Sequence, residues 1–352
     1  MTHSTSLLNL PVTDLDAVVD AVGERWQALR GKRLLLTGGT GFIGKWLLAT
    51  FLHANQRLDL GATVLVLSRQ PEAFLQQFPA LRGREEVEWI AGDVRDLVPA
   101  MAPDCTFAIH AATDVVAAAS AADVLHTCIA GTERVLGVLG GGNEPKRALL
   151  LSSGAVYGRP DATPMDEDCP RAPSPLSPAS AYGEGKRVSE LLCAMASAAQ
   201  PSLTVAIARC FAFVGPHLPL DKHFAIGNFI SAAMQGNDIA IQGDGTPLRS
   251  YLYAADLAHW LWVMLFEAPN CRAYNVGGAE SLSIRDLAYR VNHTLGGQGS
   301  VRIAQTPAPG AVPQAYLPDL TRIEKELGLV PSVSLDDAIL RTAQWARQNL
   351  EE

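Results

Sequence analysis

The six cysteines of this 352-residue chain (Cys105, Cys128, Cys169, Cys193, Cys210 and Cys271) never stand in a Cys-x-x-Cys pair. Scattered through apolar settings, they suit reduced thiols packed in the core of a cytosolic protein. Long hydrophobic runs are also missing. The longest apolar stretches have the length of a strand, which excludes a membrane-spanning helix. Met1 to Leu10 lacks the charged start and long apolar centre of a secretory signal. The formal net charge is −8 and no basic stripe appears, which argues against nucleic acid as a main partner. What the chain has in quantity is apolar residues, 48%, enough for a large core. Its length is about twice that of a typical domain, so two lobes are expected.

Residues Thr37 to Gly44 read Thr-Gly-Gly-Thr-Gly-Phe-Ile-Gly, directly after the apolar run Leu34-Leu35-Leu36. Glycines at 39, 41 and 44 satisfy the dinucleotide fingerprint, and those at 38, 41 and 44 give a second spacing, Gly-x-x-Gly-x-x-Gly. Such glycines let the backbone turn tightly, approach a pyrophosphate and pack helix on strand. A helix opening at Phe42 presents unpaired N–H groups and a positive dipole end to phosphates. The amphipathic pattern that follows (Trp46, Leu47, Leu48, Phe51, Leu52) supplies the context the motif requires.

Residues 13 to 30 carry Leu15, Val18, Val19, Val22, Trp26 and Leu29 at helical spacing, with Thr13 or Asp14 as N-cap. Strand candidates are Leu34–Leu36, Thr63–Leu67, Val87–Ile90, Phe107–His110, Ala148–Leu151 and Leu203–Ala208. Helical stretches near 42–55, 114–140 and 181–199 alternate with them. This alternation predicts an α/β fold with a doubly wound parallel sheet of Rossmann type and a smaller C-terminal substrate-binding lobe. The expected division is an N-terminal helical extension at 1–30, a dinucleotide-binding domain at 31–214 with returns from about 250–278, and a lobe formed mainly by 215–352. Arg159 to Ser180, rich in proline and acid, reads as a surface loop.

Tyr182-Gly-Glu-Gly-Lys186 places a tyrosine and a lysine four apart, on one face if the segment is helical. An unperturbed tyrosine titrates near ~10 and exchanges protons poorly at neutral pH; an adjacent ammonium stabilises its phenolate. The apolar run Ala148–Leu151 ends in Ser152 and Ser153, at the carboxyl edge where doubly wound sheets bind ligands. A serine there can donate a hydrogen bond to a substrate oxygen while the tyrosine moves its proton; capping of the loop is the plainer use of either hydroxyl.

Taken with Gly92-Asp93-Val94-Arg95-Asp96, His110-Ala111-Ala112-Thr113, Arg209 to Pro216, Gly243 to Tyr251 and Tyr274 to Gly277, these segments resemble, in order from about 31 to 330, the extended short-chain dehydrogenase/reductases. Within that group the chain looks like the NAD-dependent epimerase/dehydratase family, which acts on nucleotide sugars. The resemblance implies Ser153, Tyr182 and Lys186 as catalytic triad. It implies a cofactor site of Gly38, Gly41, Phe42, Ile43, Gly44, Ser68, Arg69, Asp93, Val94, Ala111, Ala112 and Thr113, completed by Tyr182 and Lys186. Arg249 would contact the nucleotide diphosphate, for which its planar fork is suited. Asn228 resembles a nucleotide-contacting asparagine of related decarboxylases. A homodimer through the helices near 114–140 and 181–199 is implied too, and their apolar faces (Val124, Leu125, Val135, Leu136, Leu139; Val188, Leu191, Leu192, Met195) suit either that contact or packing on the sheet.

Departures from the family pattern narrow the chemistry. Ser68-Arg69 stands where an NAD-specific relative would offer aspartate to the ribose, and an arginine there can take a 2′-phosphate. NADP is therefore the expected cofactor, with NAD the alternative. The family's 4,6-dehydratases carry Asp-Glu after the catalytic hydroxyl; here those positions are Gly154 and Ala155, which have no proton to exchange. Asp166, Glu167 and Asp168 read as a solvated acidic turn. Ala212 replaces an asparagine of many relatives. The expectation is a cytoplasmic 4-keto sugar reductase working on a nucleotide-linked hexose, with no metal and no catalytic role for His217 or His223. A 4-epimerase that retains its nicotinamide is the alternative, a 4,6-dehydratase is disfavoured, and a nucleotide sensor without catalysis is the rival from another class.

Overall fold

The computed structural model describes residues 6–113, 120–158, 164–221, 224–310 and 312–349. The apolar runs become β1 (Arg33–Thr37), β2 (Thr63–Ser68), β3 (Val87–Ala91), β4 (Cys105–His110), β5 (Lys146–Ser153) and β6 (Leu203–Cys210). Around them lie α1 (Val12–Val22), α2 (Phe42–Arg57), α3 (Pro71–Gln77), α4 (Ala121–Val138) and α5 (Ala181–Ala199). Later come short strands β7 (Phe213–Val214), β8 (Ile239–Ile241), β9 (Leu248–Arg249), β10 (Leu252–Tyr253), β11 (Ala273–Val276), β12 (Leu282–Ser283), β13 (Val301–Ile303) and β14 (Ala315–Tyr316). The accompanying helices are α6 (Ala225–Met234), α7 (Ala254–Glu267), α8 (Ile284–Thr294), α9 (Thr321–Leu327) and α10 (Leu335–Asn349).

Seven strands form one sheet in the order β3-β2-β1-β4-β5-β6-β11. The pairings β3 to β2, β2 to β1, β1 to β4 and β4 to β5 are parallel. Buried on both faces, such strands read as unbroken apolar runs rather than alternating ones, as Leu34-Leu35-Leu36 and Val64 to Leu67 do. This is a doubly wound Rossmann fold, and its strand order reverses between β1 and β4, where ligands bind beyond the carboxyl ends. Thr37 and His110 are paired across that switch point, so the glycine turn and the His110–Thr113 segment leave the sheet side by side.

Two compact units emerge. The first comprises Met1–Gly158, Arg171–Arg209 and Ala258–Tyr274; the second comprises Arg159–Pro170, Cys210–Leu257 and Asn275–Glu352. The N-terminal extension belongs to the first unit. Its expected single helix is broken at Gly23, whose φ of 62° stops α1, and residues Gly23–Leu29 continue as a 3₁₀ segment. That turn drives Trp26 into the core, 4.7 Å from the Trp262 ring and 5.7 Å from Phe266. Asp16 and Asp20 of α1 hold α2 through His53 and Arg57. The stretch 250–278 expected to return to the first unit is shortened to Ala258–Tyr274.

The proline-rich loop departs further from expectation; its residues 159–163, like 114–119 and His223, lie outside the described residues. Met165, expected on the surface, is buried and pairs in parallel with Pro318. Glu167 is not solvated either. It is 8% exposed, its Oε1 accepts the N–H of Asn275 at 2.8 Å, and Arg322 lies beside it at 3.6 Å. Only Asp166 and Asp168 of that turn face solvent, and Asp168 pairs with Arg322 at 2.6 Å. Among the cysteines, Cys105, Cys128, Cys193 and Cys210 are buried free thiols, whereas Cys169 and Cys271 are partly exposed. Cys271 sits in a turn with φ of 54°, its Sγ 2.9 Å from Ser197 Oγ. No described helix is long and apolar enough to cross a membrane.

Candidate active site

Gly38 has φ of 72°, and a Cβ there would stand 2.6 Å from the carbonyl carbon and oxygen of Ala111 and 2.8 Å from Ala112 N. A Cβ on Gly44 would meet Gly38 O at 2.1 Å. These two glycines therefore allow the turn to fold back on the first residues of α2 and to lie against the chain leaving β4. Thr37 Oγ1 reinforces the junction: it meets His110 Nδ1 at 2.8 Å and accepts the Ala112 N–H at 3.3 Å. Burial, followed by the charge of Lys186, lowers the His110 pKa to about 3, so the imidazole is neutral. Its Nε2 is buried without a hydrogen-bond partner.

Beyond the turn opens a cavity of about 900 Å³, within the size range of ligand pockets. Gly38, Gly41, Ser68, Arg69, Asp93, Val94, Ala111, Ala112 and Thr113 all line it. Phe42, Ile43 and Gly44 are not among its lining residues; Gly44 packs on the turn itself. Sequence reasoning missed Thr40, Gln70, Phe74, Gln77, Asp123 and Thr127, which also line it. Phe74 and Gln77 belong to α3, a seven-residue helix too short to reveal a periodicity. Arg95 stands out in the sequence only as part of a motif. It donates from Nε and Nη2 to the two Asp93 oxygens at 2.8 and 2.9 Å, while its N–H reaches Oδ1 at 2.9 Å. The Arg95 hydrogen bond chiefly holds the Asp93 carboxyl below the usual range. Arg69 is exposed at the end of β2 on the cavity wall.

A nicotinamide dinucleotide fits these residues: the Gly38 cradle excludes any side chain, and Gly41, the N-cap of α2, lines a cavity of suitable size. The side chains expected to carry the chemistry lie in the same unit. Ser153 ends β5, 6% exposed, and its Oγ accepts the Ala155 N–H at 3.1 Å. Tyr182 and Lys186 stand one turn apart on α5, with Lys186 Nζ 5.9 Å from the tyrosine ring centre. Lys186 is 3% exposed, and its Nζ donates to Leu151 O at 2.7 Å and to Thr113 Oγ1 at 2.9 Å. Two glycines let α5 come this close. A Cβ at Gly183 would meet Ala155 O at 2.6 Å, and one at Gly185 would meet Cys128 Cβ at 2.8 Å. Gly154 and Ala155 open a 3₁₀ turn, Gly154–Tyr157, that offers no carboxylate beside Ser153.

In the second unit, Arg249 lies on β9 with its guanidinium 5.6 Å from the Tyr316 ring centre, and its Nη1 donates to Leu248 O at 2.8 Å. Asn228 is exposed on α6. His217 packs edge-on against Trp345 at 4.6 Å. No group of histidine, cysteine and acid side chains suited to a metal ion occurs among the described residues.

Fold and site together define an α/β dinucleotide-binding enzyme with a serine, tyrosine and lysine at the sheet's carboxyl edge. The model of the NAD dependent epimerase/dehydratase family matches residues 34–277, and the chain belongs to that family. UDP-glucuronic acid decarboxylase 1 of Xenopus tropicalis is 28% identical over 321 residues, covering 91% of this chain and 73% of that relative. DesIV, a dTDP-glucose 4,6-dehydratase from Streptomyces venezuelae solved with NAD, superposes with a TM-score of 0.74 at 29% identity, over 91% of this chain and 98% of that one. MoeE5, solved with UDP-glucuronic acid and NAD, gives a TM-score of 0.70 at 25% identity, over 90% and 99% of the two chains.

Proposed function

We propose that this enzyme exchanges hydride at C4 of a nucleotide-linked hexose, in the reductive direction as a 4-keto sugar reductase. The observation that carries the reading is the pairing of an intact Ser153, Tyr182 and Lys186 with Gly154 and Ala155. The set retains the groups needed to move one proton to or from a carbinol oxygen. At the two positions after Ser153 it lacks the carboxyls that a 4,6-dehydratase uses to eliminate a hydroxyl.

When bound, the nicotinamide supplies the hydride. Tyr182 gives its hydroxyl proton to the carbonyl oxygen as the alcohol forms, and Ser153 Oγ donates a hydrogen bond that orients the same oxygen. Lys186, held by Leu151 O and Thr113 Oγ1, keeps a positive charge beside the tyrosine and stabilises the phenolate left behind. Gly38, Gly41 and the α2 N-terminus receive the pyrophosphate, and Asp93 and Val94 flank the adenine. Arg69 favours NADP by offering a cation to a 2′-phosphate. Arg249 takes the sugar nucleotide's diphosphate, and Asn228 contacts its nucleotide.

The second reading is a 4-epimerase that keeps its nicotinamide and returns the hydride to the opposite face. Relatives solved with NAD favour NAD, the cofactor this second reading requires, over NADP. The experiment is a panel of UDP-, dTDP-, GDP- and CDP-linked sugars and their 4-keto forms, with reduced-nicotinamide absorbance and product identity both followed. Net NADPH consumption with a 4-keto sugar is expected. Turnover without added cofactor, giving the C4 epimer, would replace the first reading by the second. Release of CO₂ from UDP-glucuronic acid, or of water from a sugar that loses its C6 hydroxyl, would overturn both.

A further inference from the structure

Behind the triad lies a polar cluster that the reaction above does not use. Glu190 follows Lys186 by four residues on α5, so Tyr182, Lys186 and Glu190 form one stripe along the helix. Each of the last two is tied to β5. Lys186 Nζ donates to Leu151 O at 2.7 Å, and Ser152 Oγ donates to Glu190 Oε1 at 2.5 Å. Successive turns of the helix are thus fastened to successive residues of the strand, and the next residue of β5 is Ser153.

Arg209, near the end of β6, grips the same carboxylate from the other side. Its Nε donates to Oε1 at 3.0 Å and its Nη2 to Oε2 at 2.8 Å. Its Nη1 donates to Tyr157 Oη at 3.0 Å, with the guanidinium 5.0 Å from that ring centre. Tyr157 is 1% exposed and ends the turn that Ser153 caps. The Arg209 and Glu190 side chains are only 15% and 14% exposed. An ion pair so far from water recovers little net stability over an apolar pair of equal volume, because desolvation opposes the attraction. What the fork does supply is direction: it fixes where along the strand the carboxylate can sit.

We propose that Glu190, clamped by Arg209, is a positioning residue that sets the axial register of α5 against β5 and so aims Tyr182 and Lys186 at Ser153. The proposal rests on the reading of Tyr182 as proton donor. Side-chain length, more than charge, is then the critical property. Glu190→Asp keeps the charge but is one methylene shorter, so it must release Ser152 or drag the helix. Glu190→Gln keeps the length and the oxygen that accepts from Ser152 and Arg209 Nε, and gives up only the bond from Arg209 Nη2.

Two measurements test this. With the sugar substrate, Glu190→Asp is expected to lower kcat at least about 10-fold, since a misplacement near 1 Å can cost about 10²-fold. KM for the sugar stays within about two-fold, and Glu190→Gln retains more kcat than Glu190→Asp. The opposite order, with aspartate tolerated and glutamine losing only thermal stability, overturns the proposal. The second measurement needs no sugar: the tyrosinate titration of residue 182, taken as the difference between each protein and its Tyr182→Phe counterpart. Glu190→Asp is expected to move its midpoint by about half a unit or more, because Lys186 Nζ stays tied to Leu151 O and Thr113 Oγ1 while the Tyr182 ring travels with the helix. An unmoved midpoint overturns the proposal whatever the substrate proves to be. Failure of wild-type turnover on every sugar nucleotide would instead overturn the functional reading and leave this titration to judge the positioning. Should Glu190→Asp fail to fold, Ser152→Ala, which deletes one hydroxyl, takes its place in the titration: a shifted midpoint in either direction supports the proposal and an unmoved one overturns it.

Discussion

A methyl group at residue 38 would stand 2.6 Å from the Ala111 carbonyl on a backbone at φ 72°. Both the contact and the left-handed geometry oppose it. Gly38→Ala is therefore expected to weaken cofactor binding by roughly 10- to 100-fold, using about 1–3 kcal/mol for an overpacked site, as followed by reduced-nicotinamide fluorescence. Unchanged affinity would mean that the turn is not the phosphate cradle. Arg69 sets a second expectation. Arg69→Ala should lower the ratio of NADPH to NADH affinity about 10-fold or more, one charge-assisted contact being worth about 1.5–3 kcal/mol, and equal losses for both cofactors would contradict it. His110 gives the pH dependence. Its folded pKa of about 3 lies below the ordinary 6.5, so the unfolded chain binds the extra proton between those values. The contribution of this residue is full above pH 6.5 and is lost as pH falls through the window. Unfolding free energies from denaturant titrations at pH 7 to 5 should fall more steeply for the natural protein than for His110→Gln, the difference approaching about 1.4 kcal/mol per pH unit. These residues are unequally legible in the sequence. The glycines and the Tyr-x-x-x-Lys spacing encode local geometry, so sequence alone finds them. The Thr37 to His110 bond, the buried Glu167 and the grip of Arg209 on Glu190 depend on partners that only strand register or the chain's return brings near.

At the scale of elements, α5 has the most to lose from small changes. Gly185 lets its backbone approach Cys128 on α4, and the buried hydroxyls of Thr132 and Ser189 meet across the same contact at 2.9 Å. Gly185→Ala is expected to destabilise the fold by about 1–3 kcal/mol and, by pushing the helix outward, to lower kcat more than KM. Calorimetry and steady-state kinetics on the same sample check it; a stability loss with intact kcat would show that the helix can repack without moving its reactive face. The bounds of α5 are readable because its ends and its apolar spacing agree. The first helix reads too long from sequence: its apolar period continues past Gly23, while the positive φ there ends it. Periodicity reports which side chains are buried and is silent on where the backbone turns.

For the whole molecule, strand and helix alternation announces the doubly wound sheet, because parallel strands buried on both faces leave a continuous apolar signature. The division into units is harder to read, since the segment around Met165 joins the second unit through its bridge to Pro318, distant in sequence. The N-terminal extension is integral to the first unit through Trp26, Trp262 and Phe266, and Trp262 Nε1 donates to Thr50 at 2.7 Å. Trp26→Ala is expected to cost about 3–5 kcal/mol in denaturant unfolding; a cost under about 1 kcal/mol would mean that the extension is an appendage. The rate of NADPH oxidation with a 4-keto nucleotide-linked hexose, compared between the natural enzyme and Tyr182→Phe, bears most directly on the proposed chemistry. Stoichiometric formation of the C4 alcohol is expected from the former, and a rate about 10²–10⁴-fold lower from the latter, with cofactor still bound. Equal rates would contradict this chemistry, because the phenol would then have no part in moving the proton.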